Sequence, residues 1–135
     1  MRFFAPATDN DGGVGAPVSI TITATNVNPT VGSLTIAPNP VTKPAPITLT
    51  AASVANLDGD GLILRVRFYE DVNKNNLVDA GDRLLGEDTD GGDGWSLTIP
   101  SSDVMGAGAV RFLAVAEDND GGSSVPKVGN STINP

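Results

Sequence analysis

Pro46–Asp88 reads PITLTAASVANLDGDGLILRVRFYEDVNKNNLVDAGDRLLGED. Its first part alternates apolar with polar residues and puts Ile47, Leu49 and Ala51 on one face; after NLDGDG the alternation resumes with Leu64, Val66 and Phe68. A period of two marks a half-buried strand, because successive side chains of an extended chain point to opposite sides. Asp and Asn in NLDGDG tolerate left-handed φ and cap their own backbone, so this segment reads as a turn. The next apolar run, Arg83–Glu87, arrives only after the polar stretch Asp71–Asp82.

Outward from this core the pattern continues. Strands are expected near Ser33–Ala37, Pro46–Ala52, Leu62–Glu70 and Arg83–Glu87, and then at Gly94–Ile99 with Trp95, Leu97 and Ile99 inward. Ala109–Glu117 turns Val110, Phe112, Ala114 and Ala116 inward, and a weaker strand covers Ser124–Val128. About seven short strands separated by Gly, Asp, Asn and Pro clusters predict an all-β, antiparallel β-sandwich. Leu113 and Val115 fall on the face expected to be solvated, as isolated surface residues or as a contact with a neighbouring module. EDTDGGDG at Glu87–Gly94 reads as a hairpin turn, with Asp88, Asp90 and Asp93 as weak ligand candidates.

The chain contains a repeat cut in the middle. RFFAPATDNDGGVGAP (Arg2–Pro17) matches RFLAVAEDNDGGSSVP (Arg111–Pro126) at 10 of 16 positions without a gap, at an offset of 109 residues. Both copies then reach an apolar-Asn-Pro stop, at Val27–Pro29 and Ile133–Pro135. Residues 1–27 therefore read as the C-terminal hairpin of a preceding repeat and residues 28–135 as one complete repeat. PVSITITATN alternates Val18, Ile20, Ile22 and Ala24 against Ser19, Thr21, Thr23 and Thr25, which gives the hairpin an apolar face shared with Phe3 or Phe4. Such a hairpin is marginal alone in water, so neighbouring copies of the repeat, in the same chain or head to tail, are the expected partners.

Composition narrows the chemistry. The 135 residues include no cysteine and no histidine, which removes disulfides, thiol and imidazole catalysis and zinc sites of the nitrogen and sulfur type. Eight basic against sixteen acidic residues give a net charge of −8, which repels nucleic acid and anionic lipid surfaces. No run of about 18 apolar residues is present, so no membrane insertion is expected. Six aromatic residues, mostly at core-facing positions, leave little to stack on a sugar ring. No enzymatic activity is expected.

ITLTAASVANLDGDGLILRVRFYED, LLGED and VRFLAVAEDNDGGSS together resemble the bacterial immunoglobulin-like repeats found in tandem in large secreted and surface proteins, and are similar to PKD-type and cadherin-like modules. The resemblance covers nearly all of residues 29–124. It implies an immunoglobulin-like strand order and a structural or adhesive module outside the cell, in a stalk or filament. The alternative is an accessory spacer or carbohydrate-binding module of a secreted hydrolase. In that family the two middle strands are joined by a tight turn; here the 12-residue insertion Asp71–Asp82 separates them.

The insertion has the spacing of an EF-hand calcium loop. Oxygen ligands at positions 1, 3, 5, 9 and 12 fall on Asp71, Asn73, Asn75, Asp79 and Asp82, with the backbone carbonyl of Leu77 at position 7. Asn76 takes the left-handed position normally held by Gly, and Val78 is expected to point back into the core. The departures are Asp where Glu is usual at position 12, and strands on both sides. Calcium is the expected ligand; a solvated acidic turn is the plainer reading. Asp58, Asp60, Asp118 and Asp120 are first of all turn residues. The expected topology places them at the end facing the preceding repeat, where they are secondary metal candidates.

Overall fold

The computed structural model describes residues 2–23, 25–58 and 61–135. Ten strands are present among them: β1 (Arg2–Ala5), β2 (Val18–Thr21), β3 (Thr30–Ala37), β4 (Val41–Thr42), β5 (Pro46–Ala55), β6 (Ile63–Glu70), β7 (Arg83–Asp88), β8 (Trp95–Pro100), β9 (Gly108–Asp118) and β10 (Lys127–Asn134). β3, β5 and β8 form one sheet in the order β3-β5-β8, and the facing sheet runs β4-β10-β9-β6-β7. All pairings are antiparallel except β4 with β10, which are parallel.

The two sheets close on Leu34, Ile36, Ile47, Leu49 and Ala51 from one side and Val66, Phe68, Val110, Phe112, Ala114, Ala116 and Ile133 from the other, with Trp95 and Leu97 packed at the margin. Phe68 and Phe112 are fully buried, and with no disulfide between the sheets this apolar packing holds them together. β6 and β9 run side by side with Ile63 opposite Asp118 and Glu70 opposite Phe112. The β5–β6 and β9–β10 loops therefore lie at one end of the sandwich, and the insertion between β6 and β7 at the other.

Several expectations are corrected. The final strand is not Ser124–Val128 but Lys127–Asn134. Its inward residues include Gly129 and Ser131, which leave almost no apolar alternation to read. Gly129 is required there, since a Cβ would stand 2.6 Å from Ile36 Cδ1 and 2.9 Å from Leu34 Cγ across the core. Leu64 is 49% exposed, because a register shift between Ile63 and Arg65 turns Ile63 toward the core in its place. Glu87–Gly94 does not close a hairpin: it carries the chain from one sheet to the other through a 3₁₀ turn at Gly91–Asp93. Leu113 and Val115 are buried rather than solvated, on the outer face of the five-stranded sheet.

The N-terminal segment forms a separate hairpin, β1 with β2, whose apolar Phe3, Val18, Ile20 and Ile22 are exposed. Phe3 rather than Phe4 shares the face of Ile20 and Val18, since Phe3 pairs with Ile20 and Ala5 with Val18. Ala24, the last residue assigned to that face, lies outside the described residues. The register repeats that of β9 with β10: Arg2 faces Thr21 as Arg111 faces Asn130, and Ala5 faces Val18 as Ala114 faces Lys127. The turns agree too, with Asp9 Oδ1 accepting from Asp11 and Gly13 N–H as Asp118 Oδ1 accepts from Asp120 and Gly122 N–H.

Candidate metal centre

The insertion Asp71–Asp82 is a closed loop stitched by its own side chains. Asp71, buried at 1% exposure, begins it and accepts N–H from Asn75 at 3.2 Å and Asn76 at 2.9 Å. Asn73 Oδ1 accepts from Asn75 N–H and Asn75 Oδ1 from Leu77 N–H, so each Asx side chain fixes the turn that follows it. Asp82 closes the ring, its two oxygens accepting from Val72 N–H (3.0 Å) and Asp79 N–H (3.0 Å). Lys74 and Asn76 adopt left-handed φ of 59° and 67°. Asn76 thus holds the conformation expected of the sixth position.

Asn73, Asn75 and Asp79 meet at the centre of the loop. Asp79 Oδ2 accepts the amide N–H of both Asn73 and Asn75, each at 2.7 Å, and Oδ1 accepts Gly81 N–H at 2.9 Å. These bonds, that from Asn73 foremost, hold the Asp79 carboxyl below the usual carboxylate range. Asp71 and Asp82 serve the backbone around this centre, and among the described residues no three carboxylates gather at one point. Each amide turns its oxygen to the backbone and its nitrogen to Asp79, so a hard cation here would require both amides to swing their oxygens inward and release Asn75 and Leu77 N–H.

The loop is moored to the sheet by residues that carry no ligand signature in sequence. Arg111 of β9 donates through Nη1 to Lys74 O (2.8 Å) and Asn76 Oδ1 (2.9 Å), and Lys74 Nζ donates to Ala109 O (2.9 Å). Val78 does not enter the core: it is 39% exposed. With Leu77 it lines a groove over the outer sheet face together with Tyr69, Val115 and Pro126. A smaller cavity of about 260 Å³ beside the loop is lined by Glu70, Asp71, Lys74 and Arg111 among others. Its carboxylates accept backbone N–H groups, Glu70 from Met105 and Gly106 and Asp71 from Asn75 and Asn76.

At the opposite end, Asp58 and Asp118 face the segment that joins the hairpin to the sandwich. Val27 N–H donates to Asp58 Oδ1 at 2.8 Å, and Asn26 Nδ2 to Asp118 Oδ1 at 3.4 Å. Asp120 is exposed and meets Asp118 through its backbone N–H; Asp60 lies outside the described residues. The sequence does not single out Asn26, which ends an alternating run, or Asn28, which beside Pro29 reads as a strand stop.

Two facing sheets in the order β3-β5-β8 and β4-β10-β9-β6-β7 define an immunoglobulin-like β-sandwich module. No protein-family model matches the sequence, and no curated protein matches it. Among solved structures it is similar to the fibronectin(III)-like modules of Clostridium thermocellum CbhA, at 22% identity and a TM-score of 0.57. The likeness covers 97% of this chain and 60% of that one, so the chain spans under two thirds of that structure. At this identity the likeness shows the fold.

Proposed function

We propose that this chain is a non-catalytic, calcium-stabilised structural or adhesive repeat of a large bacterial extracellular surface protein, stalk or filament. Residues 1–27 are the closing hairpin of one immunoglobulin-like repeat and residues 28–135 the next complete one. The observation that carries the calcium reading is the loop Asp71–Asp82, which combines EF-hand spacing with a left-handed Asn76 and a central Asn73–Asn75–Asp79 cluster. Support for the tandem reading comes from the shared register of the two hairpins and from the exposed apolar face of β1–β2, which a neighbouring copy would cover.

Calcium would be held by Asp71, Asn73, Asn75, Asp79, Asp82 and the Leu77 carbonyl. Bound there it supplies positive charge among carboxylates, and the chain's own residues hold the loop closed. Calorimetric titration of the full chain with calcium is the test. Asp79→Asn, at an exposed position, is expected to fold and to weaken loop binding by about tenfold or more. Unchanged binding in Asp79→Asn would overturn the assignment. A second reading, an accessory module of a secreted hydrolase, is favoured by the likeness to modules of a multi-module chain. Both readings keep the calcium loop.

A further inference from the structure

Turn chemistry accounts for one oxygen of Asp118 and leaves the other unexplained. Oδ1 accepts N–H from Asp120 at 3.0 Å and Gly122 at 2.6 Å, which is the whole requirement of the DNDGG turn. Asp9 meets the same requirement in the N-terminal hairpin, at 3.0 Å and 2.7 Å, while exposed. Asp118 differs in being buried, at 1% exposure, beneath the segment that enters the sandwich, and its Oδ2 has no hydrogen-bond partner. Asp58 repeats the pattern: Oδ1 accepts Val27 N–H, and Oδ2 is buried without a partner.

Asp118 Oδ2 converges with Asn26 and Asn28 of the connecting segment. A Cβ added to Gly122 would stand 2.5 Å from Asp118 Oδ2, 2.6 Å from Asn26 Nδ2 and 2.8 Å from Asn28 Oδ1. Asp58 grips the neighbouring residue Val27, which brings its carboxylate to the same strip of chain. Arg65 and Arg67, which flank this end on β6, are paired with Glu87 and Glu117. Two buried carboxylate oxygens without a donor are costly to leave uncompensated, and oxygen-only surroundings suit a hard divalent cation.

We propose that Asp58, Asp118 and Asn28, with Asn26 turned to offer its amide oxygen, form a calcium-class cation site at the joint between the N-terminal hairpin and the sandwich, separate from the loop Asp71–Asp82. The cation ties the connecting segment to both end loops and fixes the angle at which one unit follows the next. The four ligands lie on three parts of the chain, the connecting segment, the β5–β6 loop and the end of β9, which only the folded joint brings together.

The test is calcium titration of the full chain, alone and as Asp118→Asn, Gly122→Ala and Asp79→Asn, with melting in calcium and in chelator. Asn at 118 keeps an Oδ1 for the turn, and Gly122→Ala keeps both carboxylates while placing a methyl where the cation would sit. Each is expected to lose one calcium per chain and retain the loop site; Asp79→Asn is expected to lose the loop site and retain this one. In chelator Asp118→Asn should melt at or above the native temperature, because a buried unpaired charge is gone, and in calcium below it. Native stoichiometry and affinity in both Asp118→Asn and Gly122→Ala would overturn the joint site. Failure of Asp79→Asn alone to change binding overturns only the loop reading.

Discussion

Glu70 distinguishes a structural carboxylate from a metal ligand. It sits at the end of β6, 2% exposed and one residue before the loop, where a reader of charges would add it to the cation shell. Its oxygens are already engaged: Oε1 accepts Gly106 N–H at 2.7 Å and Oε2 accepts Met105 N–H at 2.9 Å, which pins the segment leading into β9. Glu70→Gln keeps the shape but turns one acceptor into a donor, so one N–H faces another in a half-buried setting. Losing a charged hydrogen bond and leaving a donor unsatisfied costs about 2–4 kcal/mol in total. For a domain of this size that lowers the melting temperature by about 8–15 °C. Calorimetry in chelator measures it, and calcium affinity at the loop should stay at the native value. A melting temperature within about 2 °C of native, or a native melt in chelator with weakened calcium binding, would make Glu70 a ligand rather than a structural carboxylate.

Leu113→Ala should destabilise the sandwich by about 2–5 kcal/mol in denaturant titration, as expected of a buried leucine and not of a surface one. Gly129→Ala should cost about 1–3 kcal/mol, since its methyl would stand 2.6 Å from Ile36 Cδ1 in a closed core; restored stability in Gly129→Ala combined with Ile36→Val would locate the strain there.

Much of the sandwich was legible because its central strands alternate cleanly. Ile47, Leu49 and Ala51 on β5, and Val110, Phe112, Ala114 and Ala116 on β9, are buried as their periodicity requires. The sequence does not reveal β10 because two of its three inward positions are Gly129 and Ser131, Gly129 fitted against Ile36 and Leu34 of β3, and periodicity cannot register a glycine that is buried. Leu64 failed for a local reason, a register shift that one strand's sequence does not reveal. The outer-face leucine and valine of β9 were misread because the alternation rule assumes water on the far side of the sheet; Leu77 and Val78 of the insertion share that side with Val115.

At the candidate site the spacing carried the loop's outline and its left-handed Asn76, since both depend on local chain geometry. It could not carry Arg111, a residue 35 positions away from Asn76 that holds the loop down, nor the convergence of Asn26 and Asn28 on Asp118. Those contacts exist only once β6 and β9 pair and the connecting segment crosses their end.

Whether calcium holds the loop is decided by the melting temperatures of the native chain and of Asp79→Asn, each in excess calcium and in chelator. A ligand bound only by the folded state adds about 2.7 kcal/mol at a hundred times its dissociation constant, which corresponds to about 10 °C here. Calcium is expected to raise the native melt by about that much more than it raises the melt of Asp79→Asn. Equal calcium-dependent shifts in the two proteins would contradict it.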